Sequence, residues 1–276
     1  MLPAPVSYLG TSPLGTSPIA FAHRGGAALW PENTLAAFEG ALSLGYRYIE
    51  TDVHITKDGR IVCFHDETLD RTTSGEGPLA ALTLEELREL DAGYGFMKDG
   101  EHPFRGKGLK VPTLEEALAL DPGLHLNLEI KPHHAKMERA LWEELDRLDA
   151  HDRVLVAAAH DRCVHRFRAL RPRASMPTSP GIRGVLRFWF GVRTGLVRYD
   201  RYAFQALQVP PTYRGLTVVD RAFVDAAHRH GVHVHVWTID DPLEMERLLD
   251  LGVDGVMTDR PDLLKDVMQA RGQWQP

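Results

Sequence analysis

Short apolar runs alternate with helical patterns along almost the whole chain, as expected of βα units wound around a parallel sheet. The runs predict strands at Ile19 to Ala22, Tyr46 to Ile55, Ile61 to Phe64, Leu124 to Ile130 and Val154 to Ala158. A weak one follows near Ala174-Ser175-Met176, then Ala206 to Val209, Val232 to Ile239 and Gly255 to Thr258. Helices with clear punctuation fill the gaps. The first starts near Asn33 and runs to Leu44. Asp241-Pro242-Leu243-Glu244 reads as an N-cap, a proline at the first helical position and a capping glutamate, with Gly252 at the end. The helix before it closes on His228, His230 and Gly231.

Three strands carry one apolar and one polar face, since successive side chains point to opposite sides. Leu124 to Lys131 sets leucines and Ile130 against His125, Asn127, Glu129 and Lys131. Val232 to Ile239 sets valines against His233, His235 and Trp237, and Tyr46 to Ile55 aligns Tyr46, Tyr48, Glu50, Asp52 and His54. A doubly wound sheet, covered by helices on both faces, does not readily tolerate so many polar positions. A closed barrel with its site at the C-terminal strand ends does. The expected fold is therefore α/β, a (β/α)8 TIM barrel over residues 19–276 with a small insertion after the second β/α unit. The 276 residues suit it, since such barrels usually run to about 250. The insertion spans about 66–112, too long for a βα loop, and holds a capping box at Thr83-Leu84-Glu85-Glu86.

Composition narrows the class. Hydrophobic residues make up 43% and charged residues 25%, an ordinary globular balance, and the net charge of -6 argues against a nucleic-acid partner. Any anionic substrate must be captured by local positive charge. Cys63 and Cys163 are too few for a disulfide framework and read as buried thiols. Residues 1–18, rich in Pro, Ser, Thr and Gly, read as a loose leader without signal-peptide character, so a cytoplasmic location is expected. No run of about 20 apolar residues predicts a membrane span.

The chemistry concentrates in the first half. His23 and His65 each follow an apolar strand, and each is followed by a charged residue, Arg24 or Asp66. Histidine suits both the base and the acid of phosphodiester cleavage near neutral pH. Glu50 and Asp52, two apart on one strand, share a face and repel unless a cation sits between them. Glu129 is the natural third ligand, and an all-oxygen set suits one Mg²⁺ or Ca²⁺. The plainer alternative is a carboxylate pair satisfied by Arg47 or Lys57. Arg24 and Lys131 are candidate phosphate ligands, and Gly25-Gly26 lets the backbone turn close to a ligand.

Together these residues resemble the glycerophosphodiester phosphodiesterases, relatives of the phosphatidylinositol-specific phospholipases C. The resemblance rests on Ala22-His23-Arg24-Gly25, Pro31-Glu32-Asn33-Thr34, Glu50-Thr51-Asp52-Val53, His65-Asp66, Asn127-Leu128-Glu129-Ile130-Lys131, Val236-Trp237-Thr238 and Thr258-Asp259-Arg260-Pro261. It spans about 19–265 in the family's order. It implies a TIM barrel that hydrolyses glycerophosphodiesters such as glycerophosphocholine to glycerol 3-phosphate and an alcohol. It further implies a divalent metal on Glu50, Asp52 and Glu129, His23 and His65 as the acid–base pair, phosphate contacts from Arg24 and Lys131, and a substrate wall at Trp237. By the phospholipase C analogy His23 is the base and His65 the acid. The attacking oxygen is either the glycerol 2-hydroxyl, giving a cyclic intermediate, or water. Two departures stand out: Ile239-Asp240 where many members carry Asn, and Ala159-His160-Asp161 where Ser-Phe-Asp or Ser-Phe-Asn is common.

Two rival functions share this framework. One is a lysophospholipase D acting on membrane lysolipids. The other is a non-catalytic phosphate- or lipid-binding barrel, whose usual cue, loss of a histidine or metal carboxylate, is missing. Ile182 to Arg201 interleaves five arginines with Phe188, Trp189 and Phe190. It reads either as a surface that contacts membranes peripherally or as an ordinary barrel helix with solvated arginines. The preferred alcohol and the oligomeric state leave no trace in the sequence.

Overall fold

The computed structural model describes residues 7–9, 17–131, 135–170 and 176–275. Its ring begins with β1 (Ile19–His23), α1 (Leu35–Ser43) and β2 (Tyr48–Ile55). β3 (Ile61–Cys63) folds back antiparallel to β2, and the insertion with α2 (Leu84–Arg88) follows, before α3 (Leu114–Ala119) completes the second unit. Then come β4 (His125–Ile130), α4 (Ala135–Arg147), β5 (Val154–Ala157), α5 (Asp161–Ala169) and α6 (Ile182–Thr194). The chain continues through β6 (Ala206–Val209), the small hairpin β7 (Thr212–Tyr213) and β8 (Leu216–Thr217), and α7 (Arg221–Arg229). It ends with β9 (His233–Val236), α8 (Pro242–Leu251), β10 (Gly255–Thr258) and α9 (Pro261–Ala270).

Seven parallel strands run in the order β5-β4-β2-β1-β10-β9-β6. The eighth position is a minimal one. Val156 bridges Thr178, and the amides of Gln205 and Ala206 both donate to the Thr178 carbonyl, at 3.0 and 3.5 Å. Residues 177–179 therefore close the ring between β5 and β6. The weak strand expected near Ala174-Ser175-Met176 lies partly outside the described residues, and the pairing falls two to four residues later. Pro177 and Pro180 bracket the segment, and neither ring nitrogen can donate to a ladder, so among the described residues the pairing is a single bridge.

The strand faces divide as the alternation predicts, except at Tyr46, which precedes β2 and packs with Ile49 and Val53 on the helix side. Leu126, Leu128 and Ile130 pack under the helices with Val154 and Val164, and Val232, Val234 and Val236 pack with Phe223 and Leu248. The lower lumen is filled by Phe21, Leu155, Ala206 and Met257 around Tyr8. Gly255 leaves room there, because a Cβ would stand 2.7 Å from the Phe21 ring and 2.9 Å from that of His235. The insertion has its own core of Val62, Phe64, Leu69, Leu79, Leu87 and Val111, and Thr83 and Glu86 form the expected capping box.

Tyr8 corrects the expectation of a wholly loose leader. Residues 7–9 form a short 3-10 turn, Tyr8 is fully buried, and its carbonyl accepts from the Tyr48 hydroxyl at 2.9 Å. The turn seals the barrel floor, against Tyr48 and His125. The Tyr8 hydroxyl itself finds no partner among the described residues. Tyr8→Ala should cost about 3–5 kcal/mol, whereas Tyr8→Phe should cost nothing, since it removes an unsatisfied buried group. Urea unfolding of both variants checks this, and equal losses would contradict it.

Candidate active site

The site is assembled at the C-terminal strand ends, where the loops of such barrels carry function. The loop after β1 turns on three consecutive left-handed residues, Arg24, Gly25 and Gly26, with φ of 52, 85 and 102°. Gly25 is required twice over: its φ is positive, and a Cβ would meet the Ala37 side chain at 2.7 Å. The turn sends the Arg24 guanidinium inward, with Nε 3.3 Å from Asp52 and Nη1 2.9 Å from Glu32. Thr34 caps α1, and the neighbouring Asn33 donates to Asp52 Oδ2 at 3.1 Å while accepting from the Thr51 hydroxyl. The Pro-Glu-Asn-Thr motif thus braces the carboxylates as well as starting a helix.

Glu50, Asp52 and Glu129 each present an oxygen such that all three lie within 4.8 Å of one another. β2 and β4 pair with Asp52 opposite Glu129, which brings the third carboxylate alongside. Burial and the neighbouring Asp52 push the Glu50 carboxyl up to about 8, against the pull of His23. Burial also raises Asp52, but Lys131 and Arg24 outweigh it and leave that carboxyl below its ordinary value. Without a cation the pair therefore settles as one ionised and one protonated group near neutrality. An oxygen-only trio, with Glu50 and Asp52 buried, that holds on to a proton is a set a hard divalent cation fits. Arg47 and Lys57, the alternative partners, are not involved, and Arg47 pairs with Asp121. Lys131 is: its Nζ lies 3.0 Å from Asp52 and 3.1 Å from Glu129.

Two histidines flank this cluster, each fixed through Nδ1. His23 Nδ1 is 2.7 Å from Asp259, and its Nε2 is 3.6 Å from Glu50. Burial depresses its pKa, but Glu50 and Asp259 outweigh it and leave the ring more basic than usual. His65 Nδ1 is 2.6 Å from Asp66, and the His65 carbonyl accepts from His54 Nε2 at 3.1 Å. Trp237 stands at the end of β9, 42% exposed at the mouth. All eight residues singled out in the sequence gather at this end of the barrel.

Sequence reasoning missed the links between them. Arg71, from the insertion, binds Glu32 through both terminal nitrogens at 2.7 and 2.8 Å and Asp66 through Nε at 2.6 Å. Its guanidinium holds Asp66 down at about 2. Arg71 thus joins the partner of His65 to the partner of Arg24, and nothing in its local sequence signals this. Asp259 was visible only as part of a motif. Asp240, one of the departures, accepts from the Asp259 amide and the Thr258 hydroxyl at 2.8 and 2.9 Å, so it braces the loop that holds His23. Asp161, in the other departure, accepts from the first amides of α6. Arg71→Ala should lower kcat by about 10-fold, the lower end of the range for an outer partner, with a smaller change in KM. Steady-state kinetics checks it, and an unaltered kcat would remove Arg71 from the site's support.

A parallel barrel with histidines, basic side chains and an acidic trio at its C-terminal rim defines a phosphodiesterase-type site. A sequence model described as the glycerophosphoryl diester phosphodiesterase family matches residues 23–263. The chain is 34% identical over 261 residues to a glycerophosphodiester phosphodiesterase of Caldanaerobacter subterraneus, covering 92% of this chain and 99% of that one. Its fold matches the crystal structure of a glycerophosphodiester phosphodiesterase from Agrobacterium tumefaciens with a TM-score of 0.70, at 26% identity, over 90% and 98% of the two chains. An Oleispira antarctica phosphodiesterase, solved with the product sn-glycerol-3-phosphate, matches with a TM-score of 0.73 at 28% identity, over 92% and 97%. The chain belongs to the glycerophosphoryl diester phosphodiesterase family, and it is an enzyme of that class.

Proposed function

We propose that this enzyme hydrolyses small glycerophosphodiesters, such as glycerophosphocholine and glycerophosphoethanolamine, to glycerol 3-phosphate and an alcohol. The observation that carries the proposal is the pairing of a three-carboxylate cluster with two histidines, each tied through Nδ1 to an aspartate. A Mg²⁺ or Ca²⁺ held by Glu50, Asp52 and Glu129 would neutralise the phosphate and acidify the attacking oxygen. His23 takes the proton from that oxygen at Nε2, and Asp259 stabilises the imidazolium that results. His65, oriented by Asp66, returns a proton through its own Nε2 to the leaving alkoxide. Arg24 and Lys131 oppose the charge that grows on the phosphoryl oxygens, and Trp237 walls the alcohol side.

A lysophospholipid is the second reading of the substrate. It is favoured by exposed Tyr213, Leu216 and Trp237 on loops that follow β6 and β9. The test is release of glycerol 3-phosphate from glycerophosphocholine by metal-stripped protein, with Mg²⁺ or Ca²⁺ restored separately. Cation-dependent release supports the proposal and names the ion. Faster hydrolysis of lysophosphatidylcholine selects the second reading, and no turnover of either substrate with either ion sinks both.

A further inference from the structure

We infer that the outer face of α6, with the turn after it, docks on an anionic phospholipid bilayer. The inference is separate from the catalytic assignment and depends on none of its residues. α6 is apolar on two sides. Phe188 and Gly191 are buried, and Val185, Trp189 and Val192 pack against the barrel's hydrophobic cluster. On the opposite face Ile182, Leu186 and Phe190, spaced four apart, are 60, 56 and 58% exposed. An outward helix face on a globular barrel is normally polar. Here Arg183, Arg187 and Arg193 share that side with the apolar stripe, and no acidic residue occurs anywhere in the helix.

The surface extends past the helix end. Leu196 and Tyr199 are exposed in the following turn, with Arg198 stacked on the Tyr199 ring at 4.7 Å. Between Ile182 and Arg201 there are five arginines and a single aspartate, in a chain whose net charge is -6. Arg187 and Arg193 are paired with Asp200 and Asp220, whereas Arg183, Arg198 and Arg201 make no ion pair among the described residues. The Trp189 indole and Arg193 both donate to the Thr217 carbonyl, which pins the β7–β8 hairpin beside α6. That hairpin carries exposed Tyr213 and Leu216, and it leaves β6 at Val209, whose carbonyl accepts from the amide of Trp237. Exposed apolar side chains therefore stand both on α6 and on the hairpin pinned beside it.

The charge decides the occupant. A second copy of the chain meeting this face across a twofold axis would set arginine against arginine, which disfavours self-association. An anionic bilayer surface offers counter-charge for the arginines and an apolar boundary for the stripe. At 13 residues the helix is about 20 Å long, suited to lying in an interface, and no helix among the described residues is long and apolar enough to cross a membrane.

The test is co-sedimentation with vesicles of phosphatidylcholine alone and of phosphatidylcholine mixed with phosphatidylglycerol. Wild type should bind the anionic vesicles at least about 10-fold more tightly, with the preference weakened by salt. The double variant Leu186→Asp/Phe190→Asp should lose this binding at least about 10-fold. Its melting temperature and its rate on soluble glycerophosphocholine should not change. Arg183→Gln/Arg198→Gln should lose the anionic preference with the same controls intact. Failure of wild type to bind anionic vesicles, or undiminished binding by the double variant, overturns the inference. So does a wild-type dimer in solution that the double variant converts to monomer, or retention on nucleic acid in place of vesicles. A failure of catalysis would appear separately, as loss of the soluble rate in wild type.

Discussion

Glu50→Gln is expected to lower turnover by more than about 100-fold, beyond what loss of an outer-shell partner costs, while leaving the metal-free protein at least as stable as wild type. The two effects have one origin. Glu50 is buried beside Asp52, and burial with that neighbour pushes its carboxyl up to about 8. In the metal-free protein a neutral glutamine therefore removes an electrostatic conflict. The sign for pH follows. An acid whose folded pKa is raised retains a proton that the unfolded chain has lost, so stability falls as pH rises through the interval between the two. Metal-free wild type should thus lose stability relative to Glu50→Gln between the ordinary carboxylate value of 4.5 and about 8. Saturating cation should reverse the order: at a hundred times its dissociation constant a ligand adds about 2.7 kcal/mol, worth roughly 5 °C in a chain of this size. Thermal melts across that pH interval, with and without Mg²⁺ or Ca²⁺, beside activity, check all four effects. A variant that is inactive but still cation-stabilised would remove Glu50 from the ligand set.

His65→Ala should reduce turnover of glycerophosphocholine by about 10²- to 10⁴-fold, the range for general acid–base catalysis. The loss should depend on the leaving group. An alkoxide needs its proton as the bond to phosphorus breaks, whereas an aryl oxide leaves without one. A nitrophenyl phosphodiester should therefore suffer far less from His65→Ala, and just as much from His23→Ala, which on the proposed mechanism removes the base that both substrates need. The fold should survive, because His65 sits at the rim with its ring partly open to solvent and, among the described residues, bonded only to Asp66. Parallel kinetics on the two substrates decides the assignment. Equal losses for His65→Ala on both would move it from acid to base or to a positioning role.

Most of the barrel was legible because its periodicities are local. Alternation along Leu124 to Lys131 and Val232 to Ile239 separated lumen from helix side, and paired carboxylates two apart on one strand marked the acidic cluster that Glu129 joins. The caps at Thr83 and Asp241 stand where the sequence places them. What escaped was long-range or too short to have a period. Residues 177–179 pair through one bridge, so no alternation can develop. Tyr8 is an isolated aromatic among Pro, Ser and Gly, and only the hollow above it, framed by Tyr48 and His125, makes it a core residue. Arg71 reaches Glu32 across 39 positions of sequence, a contact that the folded insertion creates and no spacing encodes. Asp259 meets His23 across 236, which only ring closure can bring about.

The single-bridge closure at Thr178 has a kinetic consequence. Every other junction in the ring is a ladder with at least two registered pairs, whereas among the described residues β5 and β6 meet through the groups around one residue. Local opening follows the weakest cooperative unit, so amide hydrogens at Ser179, Gln205 and Ala206 should exchange with solvent ahead of those in β1, β2 and β4. α6 hangs from this seam, its first amides held by Asp161 from α5. Opening is therefore expected along one edge, the edge that carries α6 with its exposed Ile182, Leu186 and Phe190.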